Sequence, residues 1–165
     1  MNKWKMNIPS LIWIPLFLAQ IILVFFLGVF NEAGLDPVMY FGWVVWAISL
    51  IFGFVPMFTL KRKGKVEKGK SYVHTKVIVD TGIYSILRHP QYTAGILFSL
   101  ALVLWAQNWV VLILGLVVIP TVYYDIMIAD EHELEKFGEN YKKYMERVPR
   151  SNFILGIIRV MSQKK

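Results

Sequence analysis

YTAGILFSLALVLWAQNWVVLILGLVVIPTVYYDIMI, residues 92–128, carries one charged side chain, Asp125, in two apolar runs separated by Gln107-Asn108. The runs Tyr92–Ala106 and Trp109–Ile128 are longer than ordinary strands, and so tight a polar turn predicts a helical hairpin packed antiparallel. Trp105 and Trp109 flank the turn, where aromatic rings favour a membrane–water interface. Upstream, Ile8–Phe30 and Val38–Leu60 contain no charged residue at all. At ~1.5 Å per residue each crosses a hydrocarbon core of ~30 Å. The fold class that follows is all-α: a polytopic membrane helical bundle of about four transmembrane helices in one membrane domain.

Composition supports this reading. Of 165 residues, 56% are hydrophobic, and they fall into blocks separated by short charged segments rather than spreading over a soluble core. The absence of cysteine excludes a disulfide framework, a thiolate metal site and a cysteine nucleophile. The formal net charge of +7 would also suit a nucleic-acid binder, but its distribution argues otherwise. Lys3 and Lys5 precede the first run, and every other Lys and Arg lies within 61–88 or 136–165. The segments Asn31–Pro37 and Gln107-Asn108 hold none, and the first contains Glu32 and Asp36. Basic residues therefore mark membrane topology and anionic lipid, not nucleic acid. Both termini are expected on the cytoplasmic side. A cleavable signal peptide is not expected, because the first apolar run is too long and no small-x-small site follows it.

The polar chemistry gathers on that face. Lys61–Lys70 (KRKGKVEKGK) reads as a topology determinant lying on headgroups. Tyr72–Val79 is too short to form a sheet alone, and Asp80-Thr81-Gly82 is a turn. Arg88 and His89 stand directly before Pro90, which suits the first turn of a helix. That helix start offers free N–H groups and partial positive charge for a carboxylate or phosphate. A snorkelling Arg88 and a capping His89 are the equal alternative. Asp125 lies near the inner end of an apolar helix, where an ionisable group usually faces protein or water. Tyr124 and Glu131 share one helix face; Asp125, Ala129 and His132 share the neighbouring one. Leu134, Phe137, Tyr141, Tyr144 and Val148 recur at spacings of three and four, predicting a C-terminal cytoplasmic amphipathic helix over 129–148, ended by Pro149.

Gly82-Ile83-Tyr84, Arg88-His89-Pro90-x-Tyr92, the acidic pair Asp130-Glu131, Phe137-Gly138-Glu139-x-Tyr141-x-x-Tyr144 and Arg147-Val148-Pro149 occur in that order. Together they resemble the isoprenylcysteine carboxyl methyltransferase family and the similar phospholipid methyltransferases, over roughly 81–149. The resemblance implies S-adenosylmethionine bound on the cytoplasmic side between the hairpin and the C-terminal helix. It implies cofactor contacts from Tyr84, Arg88, His89, Pro90, Tyr92, Gly95, Asp130, Glu131, Tyr141 and Tyr144, with Glu131 and Tyr124 at the chemistry. The chain departs from the family pattern at Ala94, with Gly95 following it, and in having Asp130-Glu131 for a Glu-Glu pair. The short distance from that pair to Phe137 makes Glu133 an alternative to Glu131. Tyr123, Tyr124 and Asp125 replace the basic residues that precede the pair in eukaryotic carboxyl methyltransferases, which weakens the case for a carboxylate acceptor.

Methyl transfer from a sulfonium needs alignment and exclusion of water, not a metal. The expected partner is a membrane lipid or lipidated acceptor entering from the bilayer: a prenylated thiol or carboxylate, a phospholipid amine, or a small apolar thiol. An NADPH-dependent enzyme like the membrane sterol reductases and a non-catalytic lipid-binding protein are the alternatives.

Overall fold

The computed structural model describes residues 8–162, and the basic residues Lys3 and Lys5 lie outside them. Six α-helices follow in order: α1 (Ile8–Ile21), α2 (Asp36–Lys63), α3 (Pro90–Ala106), α4 (Trp109–Phe137), α5 (Glu139–Arg147) and α6 (Phe153–Ser162). A π-turn over Ile22–Phe26 extends α1, and a short 3-10 turn, Gly82–Ser85, precedes α3. No strand occurs among the described residues, in keeping with the shortness of 72–79. Three of the helices, α1 with its π-turn, α2 and α4, are long and apolar enough to cross a membrane. The shorter α3 is equally apolar and lies between α2 and α4, while α1 packs along the other side of α4.

The outer surface of the bundle is apolar. Leu11, Phe26, Phe41, Phe58 and Leu116 all stand exposed, the arrangement expected where lipid is the solvent. The interior is narrow and includes polar groups. Ser99 Oγ of α3 donates to Gln20 Oε1 of α1 at 2.7 Å, and Gln20 Nε2 donates to the Val111 carbonyl at 3.1 Å. Gln20 and Ser99 thus satisfy one another and a backbone carbonyl, as a non-aqueous surrounding favours, whereas the buried Trp105 Nε1 has no hydrogen-bond partner among the described residues.

Two ends of the bundle differ. At the loop end, Gln107 and Asn108 turn α3 into α4. Asn108 caps α4 by accepting from the amides of Val110 at 2.7 Å and Val111 at 3.3 Å. The α1–α2 connection rests on this turn: Asn31 N donates to the Trp105 carbonyl at 2.6 Å and Gln107 exchanges two bonds with the Leu35 backbone. Trp109 is exposed, as an interfacial ring should be. Trp105 departs from the expectation of an interfacial position. It is fully buried, with its ring centroid 4.4 Å from that of Trp43 and 5.9 Å from that of Trp46. It faces the bundle axis rather than the interface.

The basic end also departs from the simplest reading. The expected boundary near Ile128 is absent, and α4 continues through the helix-forming run Glu131–Lys136 to Phe137. Gly138, at φ 58°, then breaks the chain, so the amphipathic stretch 129–148 is divided between the end of α4 and the whole of α5. Pro149 lies just beyond α5, as expected. The apolar tail forms α6, in which a Cβ on Gly156 would overlap the Ile86 carbonyl. The Phe153 ring meets that of Phe52 of α2 in a tilted contact, centroids 5.3 Å apart.

Candidate active site

Backbone geometry frames the site. Pro90 takes the first turn of α3, and His89, just before it, makes no capping bond with its side chain. The capping alternative for His89 is therefore not what the structure adopts; its ring turns to Asp130 instead. The amides of Arg88 and His89 donate to the carbonyls of Pro149 (3.1 Å) and Arg150 (3.2 Å). Tyr144 Oη donates to the Tyr84 carbonyl at 2.6 Å. Residues 84–89 and 144–150, far apart in the chain, are thus joined along their backbones beside the end of α4.

Asp130 of α4 is the centre of this junction. Its Oδ2 accepts from Arg88 Nη2 at 2.9 Å and from Arg150 Nε at 2.7 Å. Its Oδ1 accepts from Tyr141 Oη at 2.8 Å and meets His89 Nε2 at 2.6 Å. Four donors saturate both oxygens, and two guanidiniums outweigh the single carboxylate, so the cluster keeps a positive excess. Arg88 and His89 are each 8% exposed and Asp130 is 2% exposed. Among the described residues, Arg88 Nε is a buried donor without a partner. Burial pushes the hydroxyls of Tyr84, Tyr141 and Tyr144 well above the ordinary tyrosine range, and Asp130 adds to the rise at Tyr141. These three remain neutral donors at any working pH.

A cavity of about 290 Å³ opens beside the cluster. Arg88, His89, Pro90 and Tyr92 form one wall; Asp125, Ile128, Ala129, His132 and Glu133 of α4 form another. Tyr84, Phe137, Tyr141 and Tyr144 contribute rings, and Val73, Val77 and Val79 close it from the α2–α3 connection.

The structure therefore brings together Tyr84, Arg88, His89, Pro90, Tyr92, Asp130, Tyr141 and Tyr144. It places the remaining three expected residues elsewhere. Glu131 and Tyr124 lie on an exposed face of α4 and do not line the cavity, because α4 turns its 125/129/132 face inward. Gly95 is half-buried along α3, away from the cavity wall. Glu133, His132, Asp125 and Arg150 take part instead. Arg150 follows the Arg147-Val148-Pro149 motif directly, a position that could have signalled its role. The lining by 73–79 had no signal beyond scattered β-branched residues.

Comparison with known proteins gives the family. The family model for phospholipid methyltransferase matches residues 37–140, which include Arg88, His89 and Asp130 and stop just short of Tyr141. A protein-S-isoprenylcysteine O-methyltransferase B of Arabidopsis thaliana is 28% identical over 99 residues, covering 54% of this chain and 50% of that protein. A chloroplastic 15-cis-zeta-carotene isomerase of the same plant is 29% identical over 105 residues, 64% of this chain and 27% of that protein. The chain thus spans half the length of the first relative and about a quarter of the second. No solved structure matches.

Proposed function

Because the chain belongs to the phospholipid methyltransferase family of membrane proteins, we propose that it transfers a methyl group from S-adenosylmethionine to a lipid-like acceptor. The cavity between α3, α4 and α5 is the site in this reading, and the basic end of the bundle faces the cytoplasm.

The observation that carries the proposal is the convergence of Arg88, His89, Tyr141 and Arg150 on Asp130 beside a cavity, with Arg88 Nε unspent. The residues suit the donor chemically. Arg88 Nε and the free amides at the start of α3 match an amino-acid carboxylate. Glu133 and His132 at the polar rim match ribose hydroxyls or an ammonium. Val73, Val77 and Val79 present an apolar wall to a flat base. When bound, the donor supplies an electrophilic methyl on a cationic sulfur.

Everything else is done by the protein. The Asp130 junction fixes Arg88 and His89, so the carboxylate contact is positioned rather than floppy. The rings of Tyr84, Tyr92, Tyr141 and Tyr144 offer faces to a cation, worth ~0.5–2 kcal/mol each where water is excluded. An in-line displacement needs donor and acceptor ~3–3.5 Å apart, and the cavity walls would supply that alignment. An acceptor with an apolar tail reaches the cavity sideways, since the flanks of the bundle are lipid-facing. Glu131 and Tyr124, on the exposed face of α4, have no part in this assignment.

Calorimetric titration of detergent-solubilised protein tests it. S-adenosylmethionine and its demethylated product should bind and NADPH should not. Binding of NADPH alone would move the protein to the reductase class, and binding of none would leave a non-catalytic lipid-binding role.

A further inference from the structure

Asp125 is the carboxylate that the donor-binding assignment does not use. It is 6% exposed, lies on the apolar part of α4, and lines the cavity. Its Oδ2 accepts from Trp13 Nε1 of α1 at 2.8 Å. Among the described residues no Lys, Arg or His forms an ion pair with it, in contrast to Asp130, which has Arg88, His89 and Arg150. A neutral indole satisfies one oxygen and leaves the charge uncompensated. A carboxylate at such depth costs several kcal/mol unless something cationic or proton-donating meets it.

Its position along the helix says what that something is. Asp125, Ala129, His132 and Glu133 all line the cavity from α4, and the step from Asp125 to Glu133 covers ~12 Å at ~1.5 Å per residue. The cavity therefore runs from the charged end of the bundle down to the level of the apolar span. A polar donor fits the upper part, and the lower part opens on the depth at which an acceptor's tail lies.

We propose that Asp125 is the acceptor-binding group, selecting acceptors whose reacting atom bears a proton, such as an amine or thiol, over those that present a carboxylate. The inference rests on the methyl-transfer reading above. The acceptor's ammonium N–H or thiol S–H donates to the Asp125 carboxylate, and the proton passes to it. The lone pair so freed on the acceptor forms the bond to the methyl carbon as the carbon–sulfur bond of the sulfonium breaks. The electrons of that bond stay on sulfur, giving a neutral thioether, and Asp125 returns its proton to water. Trp13 holds the carboxylate in place while this happens. A carboxylate acceptor would instead meet like charge in a low-dielectric setting, which disfavours it.

Three probes with one tail and different heads test the proposal: decylamine, decanethiol and decanoate, titrated by calorimetry into protein loaded with S-adenosylhomocysteine. Decylamine should bind at least about tenfold more tightly than decanoate, the worth of one charge-assisted hydrogen bond. Asp125→Asn should erase that preference and slow methyl transfer to decylamine or decanethiol about a hundredfold, the usual scale for a lost proton acceptor. Its affinity for S-adenosylhomocysteine should stay within about twofold, since no donor contact changes. Trp13→Phe, which keeps the charge but frees it, should retain the amine preference while slowing transfer, and it serves if Asp125→Asn does not fold. Tighter binding of decanoate, or an amine preference that survives Asp125→Asn, overturns the assignment of Asp125 alone. A wild-type protein that does not bind S-adenosylhomocysteine at all overturns the methyl-transfer reading and this one together.

Discussion

The loop end and the basic end of the bundle solve opposite problems with the same apolar helices. At the loop end, neutral side chains meet backbone groups and one buried tryptophan fills the space between helices. Gln107 and Asn108 bind the α1–α2 connection and the start of α4, and Trp105 is completely enclosed. At the basic end, the buried groups are charged, they surround a cavity, and each holds another in place. Neutral closure costs little when one contact is lost. A charged junction fails as a unit, because removing one partner strands another in a poorly solvating place.

The largest effect should therefore fall on Asp130. Asp130→Ala leaves Arg88 buried without its carboxylate and should cost ~3–5 kcal/mol. Donor binding should vanish in calorimetry, and the thermal midpoint in detergent should drop sharply. A variant with normal donor affinity would break the contrast between the ends. Trp105→Ala comes next. The range for burying a large aromatic in a soluble core is ~3–5 kcal/mol. The lower part of that range applies here, because lipid is as apolar as the interior and the lost packing is what remains. Its thermal midpoint should fall while affinity for S-adenosylhomocysteine stays within about twofold, as sites this distant act independently. A parallel loss of affinity would mean that the two ends are coupled.

How far the site was legible depends on what kind of signal each residue left. The helical bundle was visible because lipid demands long apolar runs, and the hairpin because two polar residues interrupt them. The junction was visible through Arg88-His89-Pro90 and Asp130, whose roles depend on chain order. The two faces of α4 were also separable by helical periodicity, yet periodicity does not say which face turns inward. The family pattern favoured the face of Tyr124 and Glu131, whereas the cavity lies against that of Asp125, Ala129 and His132. Trp105 and Trp109 illustrate the same limit: four residues apart around a turn, one is buried and the other exposed. Direction around a helix is decided by packing against segments that a single sequence does not place. Paired substitutions sharpen this point. Glu133→Gln should weaken donor binding about tenfold, the scale of one charge-assisted hydrogen bond. Glu131→Gln, at the position that the family resemblance implies, should change it by less than about twofold. The reverse order in the same titration would return the cofactor contact to the exposed face.

The smallest effect on stability belongs to the loop end. Asn108 satisfies two amides at the start of α4 and also donates to Glu32, so Asn108→Ala removes a helix cap and a loop tether together. A lost cap of this kind costs ~1 kcal/mol. The neighbouring bonds from Gln107 and from the Asn31 amide remain, so the turn should keep its shape. The outcome expected is a modest fall in thermal midpoint with donor affinity and transfer rate unchanged. Asn108→Asp keeps the acceptor oxygen that caps α4 but sets a second negative charge against Glu32. It should therefore recover the cap and lose the tether, with a midpoint between the other two. If Asn108→Ala instead proved as damaging as Asp130→Ala, neutral closure would not be the tolerant arrangement that its separable bonds imply.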